Sequence, residues 1–136
     1  MSRSGYSEDC NGWDLIMWRG AVAKAIRGAR GQQLLKELLA SLDAMPVKQL
    51  IRSALVTENG DVCALGCLGK AKGMDLTGID PEDADTVAKK FNVAPALVKE
   101  IVFWNDEGGY DATPEKTWCR MRSWVAEQIK TTKENE

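Results

Sequence analysis

Apolar positions recur at three- and four-residue spacing from Trp13 to Ala29, through Leu15, Trp18, Val22, Ala25, Ile26 and Ala29. This is the stripe of one amphipathic helix. Gly28 and Gly31, flanking Ala29 and Arg30, predict its stop and a tight turn. A second stripe of Leu34, Leu35, Leu38, Leu39 and Leu42 predicts a helix from Gln32 to Ala44, ended by Met45-Pro46 because proline cannot continue it. Two such helices joined by a few residues are expected to pack as an antiparallel hairpin. From Val47 to Leu55 the apolar positions suit a short helix followed by extended chain. Glu58-Asn59-Gly60-Asp61 is a turn signal that allows at most one small β-hairpin. Residues 62–72 suit a helix packed closely through its small residues.

Asp80-Pro81-Glu82-Asp83 has helix-start chemistry, with an Asp cap, proline in the first turn and acids near the positive end of the helix dipole. The helix is expected to reach Phe91. Asn92-Val93 breaks it, and Ala94-Pro95 restarts a helix that ends near Trp104, followed by a polar loop over 105–109. Thr113-Pro114-Glu115 starts the last helix, with Trp118, Met121, Trp124, Val125 and Ile129 on its apolar face. The expected fold is mainly α: one domain over residues 1–136, a bundle of about six or seven short helices with flexible ends at 1–12 and 131–136. Its core joins the first two helices to the tryptophan-rich last one.

Composition narrows the functional classes. The 136 residues carry 18 Lys and Arg against 20 Asp and Glu, a net charge of -2, which is not the balance of a generic nucleic-acid coat. Histidine is absent, removing the commonest general base and metal ligand together. Met1 to Gly12 is polar and acidic rather than a signal peptide, so a cytoplasmic location is expected. Charges interrupt every apolar run well short of the roughly 20 residues a membrane helix needs. Cys10, Cys63, Cys67 and Cys119 are then reduced thiols used mainly for packing. Cys63 and Cys67 are four apart, but a structural zinc site wants four ligands, so no metal and no cofactor is expected. Asp106 and Glu107, with Asp111 nearby, lack calcium-loop spacing and suit local backbone capping better than catalysis.

The remaining candidates are surfaces. Arg19, Lys24, Arg27 and Arg30 fall on the side of the first helix opposite its apolar stripe and form a basic contact face. Of five tryptophans, Trp18, Trp118 and Trp124 lie on apolar faces, while Trp13 and Trp104 lie at helix ends where they could anchor an interface. Val87, Ala88, Phe91, Val93, Val98 and Ile101 occupy the packing positions of a helix-turn-helix unit, with Asn92 at its turn. Only Lys89, Lys90 and Lys99 there could touch DNA, and residues 75–111 hold nine acids against those three lysines. Two helices that simply pack well explain the same pattern. Residues 1–52 carry eight basic and five acidic groups, and residues 53–136 carry ten and fifteen. Such a bipolar surface suits a protein partner, or self-association as a homodimer, better than non-specific DNA binding.

The segment Met1-Ser2-Arg3-Ser4-Gly5-Tyr6-Ser7, with Trp18-Arg19-Gly20-Ala21-Val22 and Arg30-Gly31-Gln32, resembles a family of small phage and prophage proteins without an assigned activity, over nearly the full chain. Cys63-Ala64-Leu65-Gly66, Trp104-Asn105-Asp106 and Thr113-Pro114-Glu115 are similar to a broader family of small helical proteins of bacteria and their phages. The resemblance implies a phage or prophage setting and no mechanism. The sequence thus points to a non-catalytic phage accessory protein that binds a host or phage protein, and by analogy of setting could inhibit a host factor or defence system. Its binding residues would be Arg19, Lys24, Arg27, Arg30, Trp13, Trp104, Asp106 and Glu107. A helix-turn-helix DNA-binding regulator using Lys89, Lys90 and Lys99 is the second reading, and an enzyme the third.

Overall fold

The computed structural model describes residues 12–76, 78–107 and 113–129, with side chains described from Ile16 onward. Six helices follow in order: α1 (Gly12–Arg27), α2 (Ala29–Ala44), α3 (Ala64–Ala71), α4 (Ala84–Phe91), α5 (Pro95–Glu107) and α6 (Pro114–Gln128). The fold is all-helical, as the periodicity predicts. The side chain of Trp13, and Cys10, Asp111 and the two chain ends, lie outside what is described.

The core is built on α2 and α5. Leu34, Leu35, Leu38 and Leu42 are buried, and α2 packs against α3 and α6 as well as α1. Leu97, Val98, Ile101 and Val102 are buried on α5, which packs against α1, α3, α4 and α6. Only Pro95 and Glu107 of α5 are exposed. Trp124 and Val125 of α6 complete the same apolar cluster, whereas Trp18 and Trp118 are only half-buried.

The joint between α1 and α2 is shorter than the glycine pattern suggests. Gly28 alone separates them, in an ordinary extended conformation, and Arg30 and Gly31 belong to α2. Gly31 is there for space. A Cβ at that position would sit 1.9 Å from the Ala25 carbonyl oxygen, so only glycine lets the start of α2 lie against the end of α1. Gly66 plays the same part in α3, where a Cβ would lie 1.9 Å from the Leu55 carbonyl oxygen.

The short helix expected within 47–55 does not form. That stretch is irregular, with bends, because distant groups take its backbone hydrogen bonds: Leu50 N donates to Pro114 O at 3.1 Å and Ile51 N to Val62 O at 2.9 Å. Ser53 takes a left-handed φ of 64°, and its N donates to the Asp106 carboxylate at 3.2 Å. The Asn-Gly turn is present, with Gly60 at φ 85°, but its flanks make only one antiparallel bridge, Val56 to Val62.

Two further helix boundaries move for local reasons. Asp80 does not cap α4; its carboxylate accepts from Glu82 N at 2.9 Å and its carbonyl from Asp83 N at 3.0 Å, closing a turn around Pro81. Asp83 is the cap, accepting from Thr86 N at 3.2 Å and Thr86 Oγ1 at 2.7 Å. Helix α5 runs through Asn105, Asp106 and Glu107, expected as loop, because Arg120 donates to the Trp104 and Asn105 carbonyls at 3.0 and 3.2 Å. Asn105 is buried in that last turn; it donates to Ile51 O at 2.8 Å and accepts from Ala64 N at 3.0 Å, tying the irregular segment to α5.

Candidate functional site

Helix α1 turns Trp18, Val22 and Ile26 inward and leaves a broad outer face. At 100° per residue, Ile16, Met17, Gly20, Ala21, Lys24 and Arg27 fall within about 140° of one another. All six are exposed. Ile16 is 64% exposed and Met17 59%, the two most exposed large apolar residues described. Large side chains on a helix normally go to its buried stripe, so two in succession on the wet side are notable.

At its C-terminal end this face runs into a cleft of about 650 Å³ between the α1–α2 joint and the start of α5. Lys24 and Arg30 are its charged walls, and the rest is small: Ala21, Gly28, Ala94 and Ala96 among them. Arg30 Nη1 donates to Asn92 Oδ1 at 3.1 Å, which fastens the joint to the α4–α5 turn. Asn92 itself is left-handed at φ 58°, a conformation asparagine tolerates better than most residues. Lys24 and Arg27 have no ion-pair partner among the described residues.

The other candidate cations are spoken for or lie elsewhere. Arg19 turns towards α5 and binds Glu100 through Nη1 and Nη2 at 2.8 and 3.1 Å. Lys99 holds its Nζ 5.1 Å from the Trp18 ring centroid, a cation–π contact across the same seam. Lys89 and Lys90 are exposed in the last turn of α4, beside the turn that Arg30 holds. Val87, Ala88, Phe91, Val93, Val98 and Ile101 are all buried. With both ends of α5 alone exposed, however, that helix lacks the free face a recognition helix lays in a major groove.

Trp104, Asp106 and Glu107 do not share a site with Lys24, Arg27 and Arg30. They sit at the far end of α5, roughly 14–18 Å along the helix from Pro95. Trp104 is half-buried, stacked on Trp124 with ring centroids 6.0 Å apart, and its Nε1 donates to Glu100 at 3.2 Å. Asp106 accepts from Ser53 N and from Asn105 Nδ2, the capping use that loop acids usually have.

Two of the described thiols, Cys63 and Cys67, are buried. Cys63 is the N-cap of α3, its Sγ accepting from Gly66 N at 3.4 Å. Burial pushes the Cys67 thiol up to about 11, so it is a poor nucleophile at neutral pH. Cys119 is exposed. Among the described residues no three Cys, Asp or Glu side chains gather to hold a metal, and no helix is long and apolar enough to cross a membrane.

Pattern reading located Lys24, Arg27 and Arg30 but passed over Ile16 and Met17. Their signal is present in the sequence, since both fall off the apolar stripe of α1. No family model, curated protein or solved structure matches the chain.

Proposed function

We propose that this chain is a non-catalytic accessory protein that acts by binding another protein through the outer face of α1 and the basic corner at the α1–α2 joint. The phage or prophage resemblance makes a host or phage protein in the host cytoplasm the partner. The observation that carries this reading is the pair Ile16 and Met17, held wet on the same face as Lys24 and Arg27. Apolar anchors beside unpaired charge are the makings of an interface rather than of a pocket for chemistry.

The DNA-binding reading draws on Arg30 and its bond to Asn92, which puts cations of two elements around one turn. It is weaker because α5 is packed on its sides and the segment around it is acidic.

A pull-down from bacterial host lysate, with and without nuclease, separates the two. A protein retained by the wild-type chain after nuclease treatment, and lost with Met17→Asp, is the expected result. Recovery of nucleic acid alone, lost at raised salt, would reverse the order of the two readings.

A further inference from the structure

The outer face of α1 has a chemistry that specifies its occupant. From Leu15 to Lys36 the chain contains five cations, Arg19, Lys24, Arg27, Arg30 and Lys36, and no Asp or Glu. Arg19 is consumed by Glu100, and the nearest acid along α2, Glu37, is held by Lys72 at 2.9 Å. The first turn of α2 has no acid either. Among the described residues Lys24 and Arg27 therefore have no ion-pair partner, beside two exposed apolar side chains on the same helix.

Between the apolar and the cationic ends the face is low. Gly20 and Ala21 lie there, and a Cβ built on Gly20 meets nothing within 4 Å. Small residues in the middle of the face let a second helix come close, to about 8–10 Å between axes. Ile16 and Arg27 are eleven residues apart, so the face is roughly 16 Å long, or three helical turns.

We infer that this outer face of α1 receives an acidic amphipathic helix of the partner protein, with apolar residues seated on Ile16 and Met17 and carboxylates about two to three turns further along, paired with Lys24 and Arg27. The inference rests on the protein-binding reading above and names its partner's chemistry. Charge complementarity supplies the orientation, because a helix laid in the reverse direction would set its carboxylates over Ile16 and Met17 and leave both cations unpaired. A basic strand would meet only like charge on this face, a duplex could pair its phosphates with Lys24 and Arg27 but would leave Ile16 and Met17 without an apolar partner, and a second copy of the chain would have to bring an acidic helix face to it.

The probe is a synthetic fluorescein-labelled helical peptide on an alanine background. Leucines one turn apart occupy one half, and glutamates seven and eleven residues further along occupy the same face. Its binding to the full chain is read by fluorescence anisotropy at low and high salt, beside a control peptide with lysines in place of the glutamates. The expected result is binding of the glutamate peptide that weakens with salt, falls about tenfold or more for Met17→Asp and for the double variant Lys24→Glu/Arg27→Glu, and is absent for the lysine peptide. All three positions are exposed, and a thermal melt followed by circular dichroism checks that the variants fold. Equal binding by wild type and variants, equal binding of both peptides, or no binding to the wild type overturns the inference. So does a wild-type dimer, seen by sedimentation, that Met17→Asp dissolves, since a second copy then covers the face. Peptide failure combined with a lysate partner that still depends on Met17 would leave the protein-binding reading standing and remove only the acidic helix.

Discussion

Arg19 of α1 grips Glu100 of α5 in a bidentate pair whose two halves live in different surroundings: the arginine side chain is 54% exposed and the glutamate 3%. The buried carboxylate also accepts from Trp104 Nε1. The pair is thus a rivet between α1 and the centre of the molecule, and its strength is governed by what happens to the glutamate when the arginine leaves. Arg19→Ala is expected to cost about 2 kcal/mol, most of it from a carboxylate left under-paired inside the protein. Replacing both, as Arg19→Met with Glu100→Leu, should restore part of that loss, because two apolar side chains do not need each other's charge. Urea unfolding of the two single variants and the double gives the coupling directly.

Glycines at two places on the first two helices should behave oppositely. Gly31→Ala places a methyl group against the Ala25 carbonyl, which must move, and a loss of about 2–3 kcal/mol is expected. Gly20→Ala adds its methyl in open space in mid-helix and should stabilise by about 0.5–1 kcal/mol. Thermal unfolding of both variants is the check, and a stable Gly31→Ala protein would contradict the close approach of α1 and α2.

Acid should weaken the fold through its capping and paired carboxylates. The hydroxyl and amide of Thr86 hold the Asp83 carboxyl below its ordinary range, and Lys72 and Arg122 do the same for Glu37 and Asp43. A carboxyl whose folded value lies below its unfolded value, about 3.9 for Asp and about 4.3 for Glu, stabilises the native state fully above that pH. Its contribution is lost as pH falls through the lower, folded value. Stability should therefore be level from neutral pH to about 5 and fall below about 4. Asp83→Asn keeps a good cap and removes one titrating group, so it should match the wild type near neutrality and show a shallower acid decline in chemical denaturation.

The described thiols should differ sharply in reactivity. With Cys67 at about 11, roughly one molecule in a thousand carries that thiolate at pH 8, and the sulfur is also buried. Cys119 is exposed and should be alkylated first. Mass spectrometry of peptides after brief iodoacetamide treatment of the native protein reads the order; modification of Cys67 at a comparable rate would mean that α3 opens readily.

What could be read in the sequence was whatever depended on neighbours along the chain. The leucine stripe of α2 and the Thr113 cap of α6 are local, and both stand where the pattern puts them; Thr113 accepts from Lys116 N at 3.2 Å. The 47–55 segment was misread because its helix-compatible composition says nothing of Pro114, Val62 and Asn105, which claim its backbone from outside. The same blindness affected the site. Spacing alone groups Arg19 with Lys24 and Arg27, and nothing short of the fold tells that Glu100, 81 residues away, takes up its guanidinium in an ion pair. Asn105, which composition places in a loop among glycines and acids, is a buried, fully engaged group of the last helical turn because Arg120 supplies an end to its helix.

That role of Asn105 has a consequence for how the chain reaches its native state. The irregular stretch around Ile51 and the start of α3 at Ala64 depend on a side chain more than 40 residues downstream, and Leu50 depends on Pro114 further still. Closing loops of that length is slow compared with forming α1 or α2, which need only local bonds. On a ribosome the first two helices can form while Asn105 is still inside the exit tunnel, but the segment that follows them must wait. The middle of the protein is thus made early and settles late.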